Sequence, residues 1–178
     1  MYNEIIEFWF TETDNKNWFT KDPNFDQLIR SRFGDLHTQA AKCELFSWRS
    51  TALGCLAEVI VLDQFSRNMY RQTADSFAYD TLSLSLAQSA ISRGIDLELT
   101  SAQQVFLYMP FMHSESLVIH QQAVKLFTQL GVESSLRFEI RHKAIIEQFG
   151  RYPHRNKILN RISSDEENSF LLQPGSSF

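Results

Sequence analysis

The amino-acid sequence predicts an all-α fold of stacked antiparallel helical hairpins. Three observations carry the prediction. Apolar residues recur at helical spacing almost from end to end, glycines fall where those stretches stop, and the connections are short enough to set neighbouring helices antiparallel. With 178 residues, 43% of them hydrophobic and 15 of them Phe, the chain reads as a single domain over residues 1–172. Its core is rich in Phe, and a frayed tail follows at 173–178.

The elements follow in order. Asp22-Pro23 reads as an N-cap followed by proline in the first helical turn. Phe25, Leu28, Ile29, Leu36, Ala40 and Cys43 then share one face of that helix. From about Ser50 to Arg71 the chain is at first apolar nearly all round, which makes this helix central and buried. Residues 75–93 form the next helix, closed by Gly94. Its Leu82-Ser-Leu-Ser-Leu86 run alternates as a strand would, but Tyr79, Leu82, Leu86 and Ala90 keep helical spacing and no turn signal interrupts them. Thr100 and Ser101 precede Gln103 and Gln104 at capping-box distance, starting a helix that Pro110 ends or kinks. Ser114 caps the following helix, in which Leu117, Val124 and Phe127 share a stripe and Gly131 terminates. A helix over 134–149 stops at Gly150, a short one follows near 154–161, and a last turn lies around 164–172.

Charge and composition exclude several function classes. A net charge of -4 and a pI near 5.7 give no support for nucleic acid or an anionic membrane surface as a partner. The apolar cluster Ile5-Ile6-Glu7-Phe8-Trp9-Phe10 is acidic and too short for a signal peptide, and no run reaches the roughly 18 apolar residues of a membrane span. A cytoplasmic protein is therefore expected, with Cys43 and Cys55 as buried, reduced thiols. There is no glycine-rich phosphate loop, nucleophile elbow, dinucleotide fingerprint or two-histidine zinc motif. No metal, cofactor or catalytic residue is assigned.

Three polar stretches stand out against this apolar background. Arg151, His154, Arg155 and Asn156 lie within six residues just past a helix end, in a loop stiffened by Pro153. The charge is local: residues 137–161 hold seven Lys or Arg against Glu139 and Glu147. Earlier, Asp63, Arg67 and Arg71 fall at i, i+4 and i+8 on one helix face. Asp63 can orient Arg67 while Arg71 presents its planar fork to an anion, or all three can form an internal ion-pair lock. Between these, His113 and Glu115 sit at a helix junction, where an imidazole beside a carboxylate suits acid–base work and a first-turn glutamate is also ordinary capping chemistry. His142 shares a stripe with Phe138, Ile145 and Phe149, the usual place for a hydrogen-bonded core histidine, and His120 reads as core too.

Five segments carry a resemblance: FWF at 8–10, WFTKDPNFDQLIRSRF at 18–33, LDQFSRNMYR at 62–71, FLYMPFMHSES at 106–116 and FGRYPHRNKILNR at 149–161. Together they span nearly the whole chain, and they resemble the bacterial domain-of-unknown-function family numbered 924. The resemblance implies an all-α fold of the tetratricopeptide-like type and no particular activity. The chain departs from the family's pattern at Leu159-Asn160-Arg161, where members often show Leu-Gly-Arg, and at Ile119-His120, where they often show Asp-Gln.

These readings combine into one expected site. Arg67, Arg71, His113, Glu115, His142, Arg151, His154, Arg155 and Asn156 would bind a small anion such as a phosphate or carboxylate, with Asp63 orienting the cations. Were a reaction to follow, His113 or His142 would carry the proton. The alternative is a protein-interaction module that binds a partner in a helical-hairpin groove with Trp9, Trp18 or Trp48 exposed. A third reading is a closed ion-pair network around helix ends.

Overall fold

The computed structural model describes residues 1–177, and no strand occurs among them. The fold is all-α. Two compact units are formed, one from Met1–Arg71 and Asp75–Pro110, the other from Gln72–Ala74 and the chain from Phe111 onward.

In the first unit, α1 (Tyr2–Glu7) runs into a π-type turn over Phe8–Glu12. Helix α2 (Pro23–Ala41) starts as expected: the Asp22 carboxylate accepts from the Asn24 amide at 2.8 Å and Pro23 fills the first turn. Its buried stripe is Phe25, Ile29, Phe33, His37 and Ala40. Leu28, expected on that face, is exposed, because the stripe advances through Phe33 and His37 instead. Cys43, expected to be buried, is exposed just past the helix end at a φ of +59°, while Cys55 is buried.

The central rod was legible in the sequence. Helix α3 (Ala52–Ile60), a π-type turn over Val61–Phe65 and α4 (Ser66–Met69) follow without a break. Every residue from Gly54 to Ser66 is buried. Helix α3 packs against α1 and α5 (Asp80–Ser92), and α2 packs against α4. The rings of Phe8, Trp9, Phe25, Phe33, Phe65 and Phe106 pack edge to face and offset around them. Gly94 closes α5 with a φ of +71°.

Helix α6 (Ser101–Met112) opens with the expected exchange between Thr100 and Gln103. Of the two expected outcomes, an end or a kink at Pro110, the helix does not end at the proline itself but runs on to Met112, just before His113. Proline removes its own amide bond, and here the helix continues only two residues beyond it.

In the second unit, α7 (Leu117–Leu130) and α8 (Glu133–Phe149) form a hairpin joined by Gly131 at a φ of +74° and Val132. Ser116, not Ser114, precedes α7, and its side chain makes no cap hydrogen bond. Ser114 instead accepts from the Ser116 amide at 3.2 Å. Gly150 closes α8 at a φ of +69°. A tight turn at Pro153–Arg155 follows, and α9 (Asp165–Leu171) begins with a complete capping box between Ser164 and Glu167. Ile145, Ile146 and Tyr152 form a buried cluster, flanked by Phe149 and Phe170. No helix is long and apolar enough to cross a membrane.

Candidate functional site

Asp63, Arg67 and Arg71 belong to the first unit, and carboxylates of that unit engage both arginines. Arg67 donates to both Asp80 oxygens at 2.9 and 3.0 Å and lies 3.1 Å from Asp63 Oδ1. Arg71 grips Asp26 at 2.6 and 2.7 Å, and Asn68 donates to the same carboxylate at 2.8 Å. The fork expected to face an anion thus lies on an aspartate of the chain itself. This geometry favours the ion-pair lock at this stretch.

The second unit holds His113, Glu115, His142, Arg151, His154, Arg155 and Asn156. They gather around Tyr152, which was not among the expected site residues. The fully buried Tyr152 donates its hydroxyl hydrogen to the Met112 carbonyl at 2.5 Å, and that oxygen is 3.1 Å from His120 Nε2. The His142 ring meets the Tyr152 ring edge-on at 5.9 Å, and the His154 ring lies at 5.6 Å. The Arg155 guanidinium stacks over the same ring at 4.7 Å and donates to the His113 carbonyl at 3.0 Å. Its parts come from the segment before α7, from α7 and α8 themselves and from the loop after α8, which is why no single motif displays it.

Ion pairs around this ring fix the loop. Glu115 accepts from the Tyr152 amide at 2.7 Å and takes Arg161 bidentately at 2.6 and 2.9 Å. Arg161 also donates to Asn156 Oδ1 and to the Tyr152 carbonyl. Arg151 is bidentate on Glu167 at 2.6 and 2.8 Å. Glu115, Arg151 and Asn156 therefore act here as framework. The basic stretch meets two carboxylates from outside it, Glu115 and Glu167, that local charge counting could not supply.

The electrostatics follow from this packing. Burial holds the His142 imidazole down at about 3, and the neighbouring His113, His120 and His154 rings add to the effect against the Phe138 carbonyl. His142 is thus a neutral ring, with Nδ1–H donating to Phe138 O at 2.7 Å. Burial pushes the Glu115 carboxyl up, but Arg161 and the Tyr152 amide outweigh it and leave it below the ordinary value. The Arg151 guanidinium holds Glu167 at about 2. Among the described residues no group of three His, Cys, Asp or Glu is placed to hold a metal. A shallow concavity of about 440 Å³ in this unit is lined by Gln148, Asp165, Glu166, Ser169, Phe170 and Gln173, and none of the hub residues lines it.

With the geometry in place, the chain can be set beside known proteins. The family model described as "Bacterial protein of unknown function (DUF924)" matches residues 5–175. The chain belongs to that family. A solved structure of a protein of unknown function from Agrobacterium tumefaciens is similar at 40% identity over 96% of each chain, with a TM-score of 0.92. No curated protein matches the chain. One departure from the DUF924 pattern has a backbone reason: Asn160 adopts a φ of +54°, a region that glycine enters freely and asparagine more readily than other side chains.

One buried acid, Glu139, was not foreseen from the sequence, whereas its partner His120 is core as expected. His120 and Glu139 are fully buried and bonded to each other at 2.7 Å. Glu139 precedes His142 by one helical turn on the buried side of α8, so the spacing 139, 142, 146 was the available signal.

Proposed function

We propose that the second unit binds a small anion, a phosphate or carboxylate, at the hub formed by His113, His142, His154 and Arg155 around Tyr152. The observation that carries this reading is the convergence on one buried tyrosine of the His120, His142 and His154 imidazoles and the Arg155 guanidinium, which also holds the His113 carbonyl. Arginine supplies a planar donor set matched to oxyanions, and the ring behind it holds that plane in place. His113 and His154 are partly exposed and form the open side of the site, whereas Arg155 and His142 lie behind them. Arg67 and Arg71 are left out of the proposed site, since Asp80 and Asp26 engage them.

The interaction-module reading asks for exposed tryptophans. Trp9 and Trp48 are buried, and the Trp18 indole donates to the Trp9 carbonyl at 2.9 Å, which supports the ligand reading over a partner groove. Thermal unfolding against a panel of phosphorylated and carboxylated metabolites is the test. A compound at 100 times its dissociation constant raises stability by about 2.7 kcal/mol. His113→Gln and His154→Gln, which remove partly exposed rings, lower that gain without unfolding the protein. A panel in which nothing shifts the melting temperature removes the proposal.

A further inference from the structure

Glu139 and His120 form the most enclosed polar pair of the second unit, both fully buried, with His120 Nδ1 2.7 Å from Glu139 Oε1. The other ring nitrogen, Nε2, lies 2.9 Å from the Ser114 carbonyl oxygen and 3.1 Å from the Tyr152 hydroxyl oxygen. A carbonyl only accepts, and the Tyr152 hydroxyl donates to Met112, so Nε2 carries a hydrogen. Two states of Nδ1 are then left. It accepts from a protonated Glu139 and the ring is neutral, or it donates to an ionised Glu139 and the ring is a cation.

Glu139 Oε2 decides between them. It is buried and has no hydrogen-bond partner among the described residues. An ionised carboxylate places charge on both oxygens, and stranding one of them away from water and donors is the costlier arrangement. In the acid, the same oxygen is a neutral acceptor, whose missing partner matters far less. Burial also raises the proton affinity of this carboxyl, against the pull of His120 and Lys143. Around Tyr152 stand Arg155, the ion-paired Glu115 and Arg161, and the His142 and His154 rings, with His113 close to His142.

We propose that Glu139 is held as the neutral acid, giving its hydrogen to His120 Nδ1, and that this pair positions Tyr152 and, through its ring, Arg155. The positioning half rests on the anion-site reading above. The protonation half stands without it.

The test uses the full chain, with inorganic phosphate as the probe. Imidazole nitrogen shifts of the wild type report His120 as the neutral Nε2–H form between about pH 6 and about pH 8. An imidazolium pattern there overturns the proposal. Glu139→Gln keeps a donor facing Nδ1 and Glu139→Leu removes it, so the first binds phosphate within about twofold of wild type and the second at least about tenfold more weakly, and equal affinities of the two variants overturn the positioning half. The pH profile has a definite sign. A carboxyl with raised proton affinity in the fold contributes fully below its ordinary 4.5 and loses that contribution as pH rises. Wild type therefore loses melting temperature relative to Glu139→Gln on going up in pH, and parallel profiles overturn the protonation half. Failure of wild type to bind phosphate overturns the positioning half together with the anion reading, while nitrogen shifts and pH profile still decide the state of Glu139.

Discussion

Glu58 and Arg49 show at the level of one residue how this protein tolerates a buried charge. Glu58 lies on α3 with no exposed surface, and Arg49 closes both its oxygens at 2.6 and 2.7 Å. The pairing raises the proton affinity of Arg49, with the Glu58 hydrogen bonds outweighing burial. Deleting the cation leaves a carboxylate surrounded by apolar neighbours and stripped of both donors. Arg49→Ala is expected to cost about 3–5 kcal/mol in urea unfolding at neutral pH. A deficit under about 1 kcal/mol would mean that water reaches Glu58 and that the pair behaves as a surface bridge.

Individual elements differ in how openly their limits are written. Asp22-Pro23, Gly94, Gly131 and Gly150 mark helix ends because each is tied to one backbone conformation, and all four sit where that chemistry requires. The π-type turns over Phe8–Glu12 and Val61–Phe65 and the run through Pro110 were less legible, since π-type turns and a tolerated proline depend on packing rather than on local preference. Two glycines separate these causes. A Cβ at Gly131 meets nothing within 4 Å, so Gly131→Ala carries only the left-handed backbone penalty of about 1–2 kcal/mol. At Gly54 a Cβ would stand 2.0 Å from the Trp48 carbonyl oxygen, backbone that cannot step aside. Gly54→Ala is expected to exceed 4 kcal/mol, about the level reserved for gross overpacking or strain, or to abolish folding. Comparable midpoints for the two variants would refute this account. Helix α9 offers a pH test. Glu167 titrates at about 2 rather than 4.5, so its contribution is complete above 4.5 and is lost as the pH falls toward 2. Glu167→Gln should flatten that acid limb in a pH series of melting curves, and an unchanged limb would show that Arg151 adds nothing there.

Across the whole molecule, the polar residues that the sequence picked out sort into two roles. Arg67, Arg71, Arg151 and Glu115 look like ligand groups in one dimension because their partners Asp80, Asp26, Glu167 and Arg161 lie 13 to 46 positions away. His142, His154 and Arg155 were legible as a cluster, but Tyr152, which joins them, reads as one more aromatic in an aromatic-rich chain. Buried acids were the hardest to see: Glu139 looks like a solvated helix position until His120 is found beside it. If the hub binds an anion, its effect should be regional. Hydrogen exchange with a saturating phosphorylated ligand should slow amides of α7, α8 and residues 150–161, the segments that carry His120, His142, Tyr152 and Arg161. Arg155→Lys keeps the charge but loses the planar fork and the ring stack, so it should weaken binding about tenfold, or about 1.4 kcal/mol. Histidine substitutions at 113 and 154 should weaken it less, because those rings stand at the open side and retain water as a competitor. Equal losses from all three variants would point to a diffuse cationic surface, since a built site ranks its residues by burial and geometry, whereas a surface field depends on charge alone.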